Sequence, residues 1–300
     1  MTIYSHSRIS CFENCPYQYK LKYIDKVKVD VPGTIEAFMG GLVHETLDKL
    51  YKDLKFQKPM TKEDLINYYN KLWEETYTDN IIIVKTHLTA ENYKKMGEKF
   101  LEDYYETYKP FKEMYILGLE TQDTLDLPDG NQWHIRIDKL GCVGDTYFVC
   151  DYKTNSRMKL QDEADSDRQL AMYSIWVKEK FKDAKQIILK WNMLAFNKEV
   201  ISLRTPEQLE RLKQEVMQKI KEIESTTEFP RKQSPLCNYC EYKQICPSMR
   251  HLHQPKETFE KDQGKILVDT LTELRKKERK IKEKIRQYSQ QYNVDVVYGS

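Results

Sequence analysis

The 300-residue sequence contains neither a long hydrophobic run nor a secretion signal. A membrane-spanning helix needs about 18 or more consecutive apolar residues, and no segment approaches that length. The N-terminus, Met-Thr-Ile-Tyr-Ser-His-Ser-Arg, lacks the apolar centre of a signal peptide. We therefore expect a soluble, cytoplasmic protein that has no membrane partner.

The sequence also lacks an excess of charge of one sign. Its 49 basic and 47 acidic residues give a formal net charge of +2, so overall charge does not indicate nucleic-acid binding. No phosphate-binding loop of the form G-x-x-x-x-G-K-[ST] is present, which argues against a helicase motor within this sequence. Internal repeats and low-complexity segments are absent as well.

Seven cysteines are an odd number for a chain without a signal peptide, which favours reduced thiols and metal binding over disulfide bonds. Cys237, Cys240 and Cys246 lie in one run, and a C-x-x-C pair followed closely by a third cysteine is a metal-ligand pattern. Three thiolates leave one coordination position open. Cys15, which lies far upstream and precedes Pro16, could fill it.

The cysteine spacing alone does not identify the metal. Zn²⁺ and a [4Fe–4S] cluster both accept four thiolates, and ordinary buried cysteines are the simplest alternative. Cys11, one helical turn before Cys15, is the only substitute ligand that we consider. We interpret Cys142 and Cys150 as ordinary thiols.

Hydrophobic periodicity predicts an α/β fold. Apolar residues recur first at helical spacing, then alternate as in strands, and later return to helical spacing. The predicted helices are 7–13, 16–23, 36–54, 61–77, 89–108, 168–181 and 205–223, and the predicted strands are 114–127, 132–140, 146–153 and 186–196. We therefore expect a mixed central sheet of about four or five strands flanked by helices.

Two carboxylates fall near the ends of neighbouring predicted strands. Asp151 and Lys153 alternate onto one face, and a hairpin through residues 141–144 would bring Asp138 close to Asp151. Adjacent carboxylates repel unless a cation lies between them, and oxygen ligands suit Mg²⁺ or Mn²⁺. A divalent ion beside a lysine is suited to phosphodiester hydrolysis. The D-x-K pattern alone is equally typical of a solvated strand end.

Four motifs, in this order, resemble those of RecB-like nucleases in the PD-(D/E)XK superfamily. They are the histidine motif Gly40-Gly41-Leu-Val-His44, the acidic residue Asp138, the D-Y-K-T signature Asp151-Tyr152-Lys153-Thr154, and the Q-x-x-x-Y element Gln169-Leu-Ala-Met-Tyr173. The resemblance spans roughly residues 5–250. A lone histidine and a helical glutamine–tyrosine pair are also common as ordinary packed residues.

The resemblance implies a restriction-endonuclease-like core with one metal site. His44, Asp138 and Asp151 would bind Mg²⁺ or Mn²⁺ together with the backbone carbonyl of Tyr152. Lys153 would position the attacking water and stabilise the transition state.

The same resemblance implies a substrate contact and an additional acidic group. Gln169 and Tyr173 would orient the DNA strand near the metal. Glu120, on the first predicted strand, is a further acidic neighbour.

Some relatives, among them the AddB nuclease domain and the CRISPR-associated RecB-like exonucleases, carry a [4Fe–4S] cluster. One of their ligands precedes the nuclease core and three follow it. Cys15 matches the first position, and Cys237, Cys240 and Cys246 match the others. The resemblance therefore favours iron–sulfur over Zn²⁺, with the cluster joining the two ends of a nuclease domain at residues 1–250.

A separate basic tail is predicted over residues 255–300, and it can belong to a longer parent chain. Its helix, 262–291, carries apolar residues at the alternating spacing of four and three that is typical of a short coiled coil, interrupted by Glu278. A solvated basic face and a contact with DNA are both compatible with this pattern.

The resemblance implies a metal-dependent DNA nuclease, an exonuclease on single-stranded ends in repair, recombination, CRISPR adaptation or defence. A helicase is a compatible partner. The alternatives are a structure-selective or sequence-selective endonuclease, and a non-catalytic DNA-binding subunit of a helicase–nuclease complex.

Overall fold

The computed structural model describes residues 2–29, 33–85, 87–252 and 263–292. The chain divides into two compact units, Met1–Ser234 and Pro235–Ser300, which are described separately below. None of the helices in the described ranges is long and apolar enough to cross a membrane.

The first unit contains eight α-helices and six strands among its described residues. The helices are α1 (His6–Asn14), α2 (Pro16–Tyr19), α3 (Ile35–Lys55), α4 (Lys62–Thr76), α5 (Ala90–Tyr108), α6 (Gln161–Asp165), α7 (Arg168–Lys180) and α8 (Pro206–Ser225). The strands are β1 (Ile3–Tyr4), β2 (Tyr115–Asp126), β3 (Gln132–Val143), β4 (Thr146–Lys153), β5 (Gln186–Met193) and β6 (Lys198–Ser202).

The strands form one mixed sheet with β3 at its centre. β2 pairs antiparallel with β3 along most of its length, and β4, β5 and β6 follow on the opposite side of β3. β4 and β5 are parallel and are connected through α6 and α7, whereas β6 is antiparallel to β5. A parallel pair needs such a helical crossover, which explains why helix α7 follows the D-Y-K-T strand.

Two hydrophobic cores cover the two faces of the sheet. One combines Trp133, Val149 and Trp191 with residues of α1, α7 and α8. The other is formed mainly by α3, α4 and α5, which contribute Leu47 and Tyr69 among others. The sheet is therefore the middle of three layers, as expected for an α/β domain.

One edge of β3 is shared by two short partners. β1 pairs parallel with Gln132 and Trp133, and β4 pairs antiparallel with Lys139 to Val143. Both strands therefore end beside the intervening part of β3, residues 134–138. This arrangement brings Ser5, which follows β1, and Lys153, which ends β4, to the same point of the sheet.

Helix starts in the first unit follow their capping signals. Thr61, Thr89 and Thr205 each accept a side-chain hydrogen bond from the backbone N–H three residues later. The side chain of that later residue accepts a hydrogen bond from the backbone N–H of the threonine. Such capping boxes satisfy backbone N–H groups that have no partner within the helix.

The second unit consists, in its described part, of short turns and one long helix. Pro235–Tyr239 and Arg250–Leu252 form 3₁₀ turns, and α9 extends over Gln263–Tyr292. The predicted tail 255–300 is thus helical over these 30 residues, and the rest of that range lies outside the described residues.

The predicted α/β class and the mixed sheet flanked by helices are confirmed. Three details of the prediction are wrong. Strand β3 continues to Val143, since Gly144, with a φ of +59°, makes the tight turn that was predicted to begin at residue 141. The predicted strand 186–196 ends at Met193 and is followed by β6, which together with the unpredicted β1 gives six strands in the described residues. The predicted helix 16–23 becomes π-helical from Lys20 to Ile24.

Candidate active site

A polar cleft of about 700 Å³ opens where β1 and β4 end beside β3. The N-terminal part of α1, one face of α3, the middle of β2 and β3, the end of β4 and the start of α7 line it. All six side chains predicted to bind metal or substrate are among the lining residues, namely His44, Asp138, Asp151, Lys153, Gln169 and Tyr173.

Asp138 is held in place by two neighbours. The backbone N–H of Tyr152 donates to Asp138 Oδ2 at 2.7 Å, and His44 Nδ1 lies 3.4 Å from the same oxygen. Burial opposes ionisation of Asp138, but the hydrogen bond and charge of His44 and the Tyr152 N–H outweigh it and lower the pKa of the carboxyl. Asp138 is therefore a carboxylate at neutral pH.

In the β3–β4 hairpin, Lys139 pairs with Cys150. Asp138 and Asp151 occupy the next position along each strand and therefore lie opposite each other. Asp151 Oδ2 lies 2.6 Å from Lys153 Nζ and forms an ion pair that does not have hydrogen-bond geometry. This oxygen is buried and has no hydrogen-bond partner among the described residues. Burial raises the pKa of Asp151 above its ordinary value, against the opposing effect of Lys153. A buried carboxylate oxygen of this kind is ready to accept a cation.

Lys153 remains a cation in this setting. Burial disfavours its charge, but the negative charges of Asp151 and Asp138 outweigh it and raise the pKa of Lys153. Lys153 can therefore donate hydrogen bonds and supply positive charge, and it is unsuited to act as a general base.

Glu120 completes a three-member group that the sequence only hinted at. Ligand atoms of His44, Glu120 and Asp138 all lie within 4.8 Å of one another. Glu120 lies between Leu119 and Thr121, whose partners on β3 flank Asp138, so it faces Asp138 across the strand pair. Its φ of +43° is in the left-handed region, where a residue other than glycine is strained.

Arg136 provides the cation that Glu120 contacts in the structure. Its Nη2 lies 3.2 Å from Glu120 Oε2, and its Nε lies 3.3 Å from the same oxygen. Because the guanidinium is largely exposed, this ion pair contributes little to stability. It leaves Arg136 able to turn towards another anion in the cleft.

The predicted Q-x-x-x-Y pair lies one helical turn apart at the start of α7. Gln169 Nε2 donates to the Tyr173 hydroxyl at 3.4 Å, and both side chains line the cleft. The preceding residue, Arg168, makes a two-point contact with Glu13 of α1, at 3.0 and 2.9 Å. This contact fixes the start of α7 against the N-terminal helix.

Ser5, His6 and Ser7 are lining residues that the sequence did not identify. They enter the cleft because β1, only two residues long, pairs with β3 more than a hundred residues away. Ser5 caps α1 by accepting from the backbone N–H of Arg8 at 3.1 Å. The place of Ser5 in the cleft depends on β1, a strand too short to produce a sequence pattern.

Gly40 explains how closely α3 approaches the end of β4. A Cβ atom at this position would lie 2.9 Å from Thr154 Oγ1, whereas a Cβ at Gly41 would meet no atom within 4 Å. Gly40 thereby links the histidine motif to the D-Y-K-T signature, four residues before His44. The close approach brings His44 within reach of Asp138.

A buried lysine, Lys139, is linked to the site through hydrogen bonds. Lys139 Nζ lies 2.8 Å from the Tyr51 hydroxyl, 3.0 Å from the Tyr104 hydroxyl and 3.0 Å from Glu113 Oε1. The Tyr104 hydroxyl also lies 3.2 Å from that of Tyr152, the residue whose N–H binds Asp138. A buried hydrogen-bond network of this kind restrains the β3–β4 hairpin at the carboxylates.

All seven cysteines lie in the described residues, and none forms a disulfide bond. Cys15 begins α2 in the first unit, where its carbonyl accepts from the Tyr19 N–H at 3.1 Å. Cys237, Cys240 and Cys246 lie on turns of the second unit, in which the Cys240 N–H donates to the Cys237 carbonyl at 3.2 Å. Metal binding by these four thiols stays a prediction.

The donor set of the cleft fits a divalent cation. Ligand atoms of two carboxylates and one imidazole lie close enough together to hold one ion, and a third carboxylate, Asp151, lies opposite Asp138. Oxygen-rich sets with an imidazole suit Mg²⁺ or Mn²⁺. Carboxylates, histidine and lysine at one end of a mixed sheet define the kind of site at which nucleases hydrolyse phosphodiester bonds.

The sequence model of the PD-(D/E)XK nuclease superfamily matches residues 3–247. The chain therefore belongs to the PD-(D/E)XK nuclease superfamily. A search of the curated proteins finds no match. The predicted superfamily is confirmed, whereas the RecB-like subtype and the iron–sulfur cluster stay predictions.

Proposed function

We propose that this protein is a Mg²⁺- or Mn²⁺-dependent deoxyribonuclease that acts as an exonuclease on single-stranded DNA ends. The observation that carries the proposal is the convergence of ligand atoms of His44, Glu120 and Asp138 within 4.8 Å, beside the Asp151–Lys153 ion pair. The end specificity rests on the resemblance to RecB-like exonucleases.

In the proposed site, His44, Asp138 and Asp151 hold the cation, together with the backbone carbonyl of Tyr152. Glu120 joins them by releasing Arg136. When bound, the cation supplies Lewis acidity to the attacking water and offsets charge on the phosphoryl oxygens.

Lys153 is the proposed catalytic cation among the side chains. Its ammonium donates a hydrogen bond to the attacking water and stabilises the negative charge that develops on the phosphoryl group. The ion pair with Asp151, at 2.6 Å, supports this role because it keeps Lys153 protonated and aimed at the carboxylate edge.

Gln169, Tyr173 and Arg136 are the proposed contacts to the DNA strand. The amide and hydroxyl donate to phosphate oxygens, and the exposed guanidinium of Arg136 neutralises one phosphate after it leaves Glu120. Arg136 lies on β3 and the other two groups lie on α7, so the proposed DNA contacts come from two elements that line the cleft.

The decisive test compares Asp151→Asn and Lys153→Ala with Asp123→Asn. Both site variants should lose at least ~10³-fold in kcat on linear single-stranded DNA, because Asp151→Asn weakens the hold on the cation and Lys153→Ala removes the charge that stabilises the reacting phosphate. Asp123, on the same sheet but paired with exposed Lys180, provides the matched carboxylate control. Circular dichroism verifies the fold of each variant, and full activity in either site variant would disprove the assignment.

Covalently closed circular DNA tests the end requirement. An exonuclease should degrade linear single strands with Mg²⁺ or Mn²⁺ and leave closed circles intact, since no terminus is available. Cleavage of circles at a comparable rate would identify the same core as an endonuclease. Binding without cleavage of any DNA, with all metals supplied, would identify a non-catalytic DNA-binding subunit.

We also propose that Cys15, Cys237, Cys240 and Cys246 bind a [4Fe–4S] cluster with a structural role, Zn²⁺ being the alternative. The support is the thiolate chemistry of the set and the resemblance to cluster-containing nucleases. The proposed nuclease domain spans residues 1–250, with the basic tail at 255–300. A cytoplasmic role in repair, recombination, CRISPR adaptation or defence, alongside a helicase, completes the proposal.

A further inference from the structure

Helix α9 exposes a continuous apolar stripe to solvent. None of its 30 residues is buried. The side chains of the stripe are between 45% and 70% exposed, and they are Leu267, Leu271, Leu274, Ile281, Ile285, Tyr288 and Tyr292. A helix of this length is about 45 Å long, and an apolar stripe along it is much larger than scattered surface hydrophobics require.

The stripe has the register of a two-stranded coiled coil. Starting from Leu267, its positions advance alternately by four and three residues as far as Tyr292, with Glu278 at one central position. Four such heptads are sufficient for a stable pair of helices. Glu278 is paired within its own helix, with Lys282 Nζ at 2.7 Å, so it can exchange partners when a second helix arrives.

The charges of the residues that flank the stripe argue against a second copy of this chain as the partner of α9. Arg275, Lys277, Lys282 and Lys284 occupy the flanking positions in the two central heptads, and all are basic. A parallel pair would place Lys277 against Lys282 and Glu278 against Glu278. An antiparallel pair would bring the same basic residues together, so self-association meets like charges in either direction.

The apolar stripe also argues against DNA as the molecule that binds to α9. Phosphates would pair with the basic flanks but would leave seven large apolar side chains in water. Only a partner that has its own apolar stripe buries them. The positive flanks require that this partner carry carboxylates beside its stripe.

We propose that α9 docks an acidic amphipathic helix of another protein, side by side as a two-stranded coiled coil. The partner carries Glu or Asp opposite Lys277, Lys282 and Lys284, and Lys or Arg opposite Glu278. A buried charge at one core position fixes the register of such a pair. The nuclease would thereby be recruited through α9, and this recruitment would not depend on its catalytic activity.

The test uses the full chain and two synthetic four-heptad peptides that share one apolar core. The acidic probe has Glu at the flanking positions and Lys opposite Glu278, whereas the basic probe has Lys at the flanks. Fluorescence anisotropy should show at least ~10-fold tighter binding of the acidic probe. The triple variant Lys277→Glu, Lys282→Glu, Lys284→Glu should reverse that preference.

Core variants provide the second arm. Leu274→Asp and Ile281→Asp should each weaken binding of the acidic probe by at least ~10-fold, because a charge then enters the seam. Far-UV circular dichroism checks helix content. If a core variant loses helicity, the charge-reversal variant, which leaves the apolar stripe intact, carries the test instead.

Three outcomes would overturn the proposal. Equal binding of both probes would remove the charge selection. A concentration-dependent dimer of the chain alone, abolished by Leu274→Asp in sedimentation experiments, would make a second copy the occupant. Failure of the acidic probe to bind, together with loss of DNA binding in the charge-reversal variant, would assign α9 to nucleic acid.

Discussion

At the scale of single residues, the site combines side chains that the sequence predicts with others that it cannot. Asp138 and Asp151 were predictable because alternation within strands and a hairpin between them depend on local pattern alone. Glu120 was predicted only as an acidic neighbour, and its place opposite Asp138 was not predictable because a φ of +43° breaks the alternation of β2 at that residue. Arg136 contacts Glu120 across the strand pair, and no motif marks it.

The two glycines of the histidine motif differ in what a methyl group would meet. Gly41→Ala should raise the free energy of unfolding by about 0.5–1 kcal/mol, since glycine in a helix costs that much relative to alanine. Gly40→Ala should lower it, because the new Cβ lies 2.9 Å from Thr154 Oγ1. Urea denaturation of each variant measures the difference.

A second substitution distinguishes the steric effect of Thr154 on residue 40 from the effect of helix propensity. Thr154→Ala removes the obstructing oxygen, so Gly40→Ala should be less destabilising in that background than in the parent protein. If Gly40→Ala stabilises the parent as much as Gly41→Ala does, the close approach of α3 to β4 places no constraint on this position.

At the scale of elements, the cleft depends on how α1, α3 and α7 meet the sheet. The sequence predicted these helices from their periodicity and caps, and it predicted β4 from its apolar run. It could not predict β1 or β6, whose two and five residues are too short to show a period. The wall formed by Ser5, His6 and Ser7 was missed for that reason.

The contact between α1 and α7 should make part of the stability depend on pH. The hydrogen bond from Arg168 lowers the pKa of Glu13 below its ordinary value of 4.5. A lowered carboxyl pKa gives stability that is present above pH 4.5 and is lost as the pH falls through the lowered value. The unfolding free energy of the parent should therefore exceed that of Glu13→Gln at pH 7, by about 1 kcal/mol or less because Glu13 is partly exposed.

Urea titrations over a series of pH values measure this dependence. The difference between the parent and Glu13→Gln should shrink as the pH falls below 4.5. Glu228→Gln, in an exposed loop, serves as the control and should show no such convergence. A difference that is constant across the acidic range would exclude Arg168 as the source of the effect.

At the scale of the whole molecule, superfamily membership and the layered fold followed from the order of motifs along the chain. The metal proposed for the four cysteines did not, because spacing indicates candidate ligands but not the element. Cys150 illustrates the difference between a structural and a ligating thiol. It is fully buried in β4, and burial raises its pKa to about 11, which keeps it protonated.

Anaerobic purification with metal analysis and a visible spectrum tests the proposed cluster. The parent protein should be brown and contain iron and sulfide. Cys240→Ser should lose the colour, because each cluster ligand is a thiolate. Cys142→Ser, on β3, should keep it. A colourless parent with stoichiometric zinc would show that the site is a zinc site instead.

The shared edge of β3 has one more consequence, which concerns fragments. The cleft wall begins at Ser5 and ends at Tyr173, so the shortest contiguous piece that contains all of it is more than half of the chain. Neither a deletion of the first seven residues nor a break before α7 leaves a complete cleft. DNA cleavage therefore reports on the integrity of both ends of this span, and limited proteolysis within either end should abolish it.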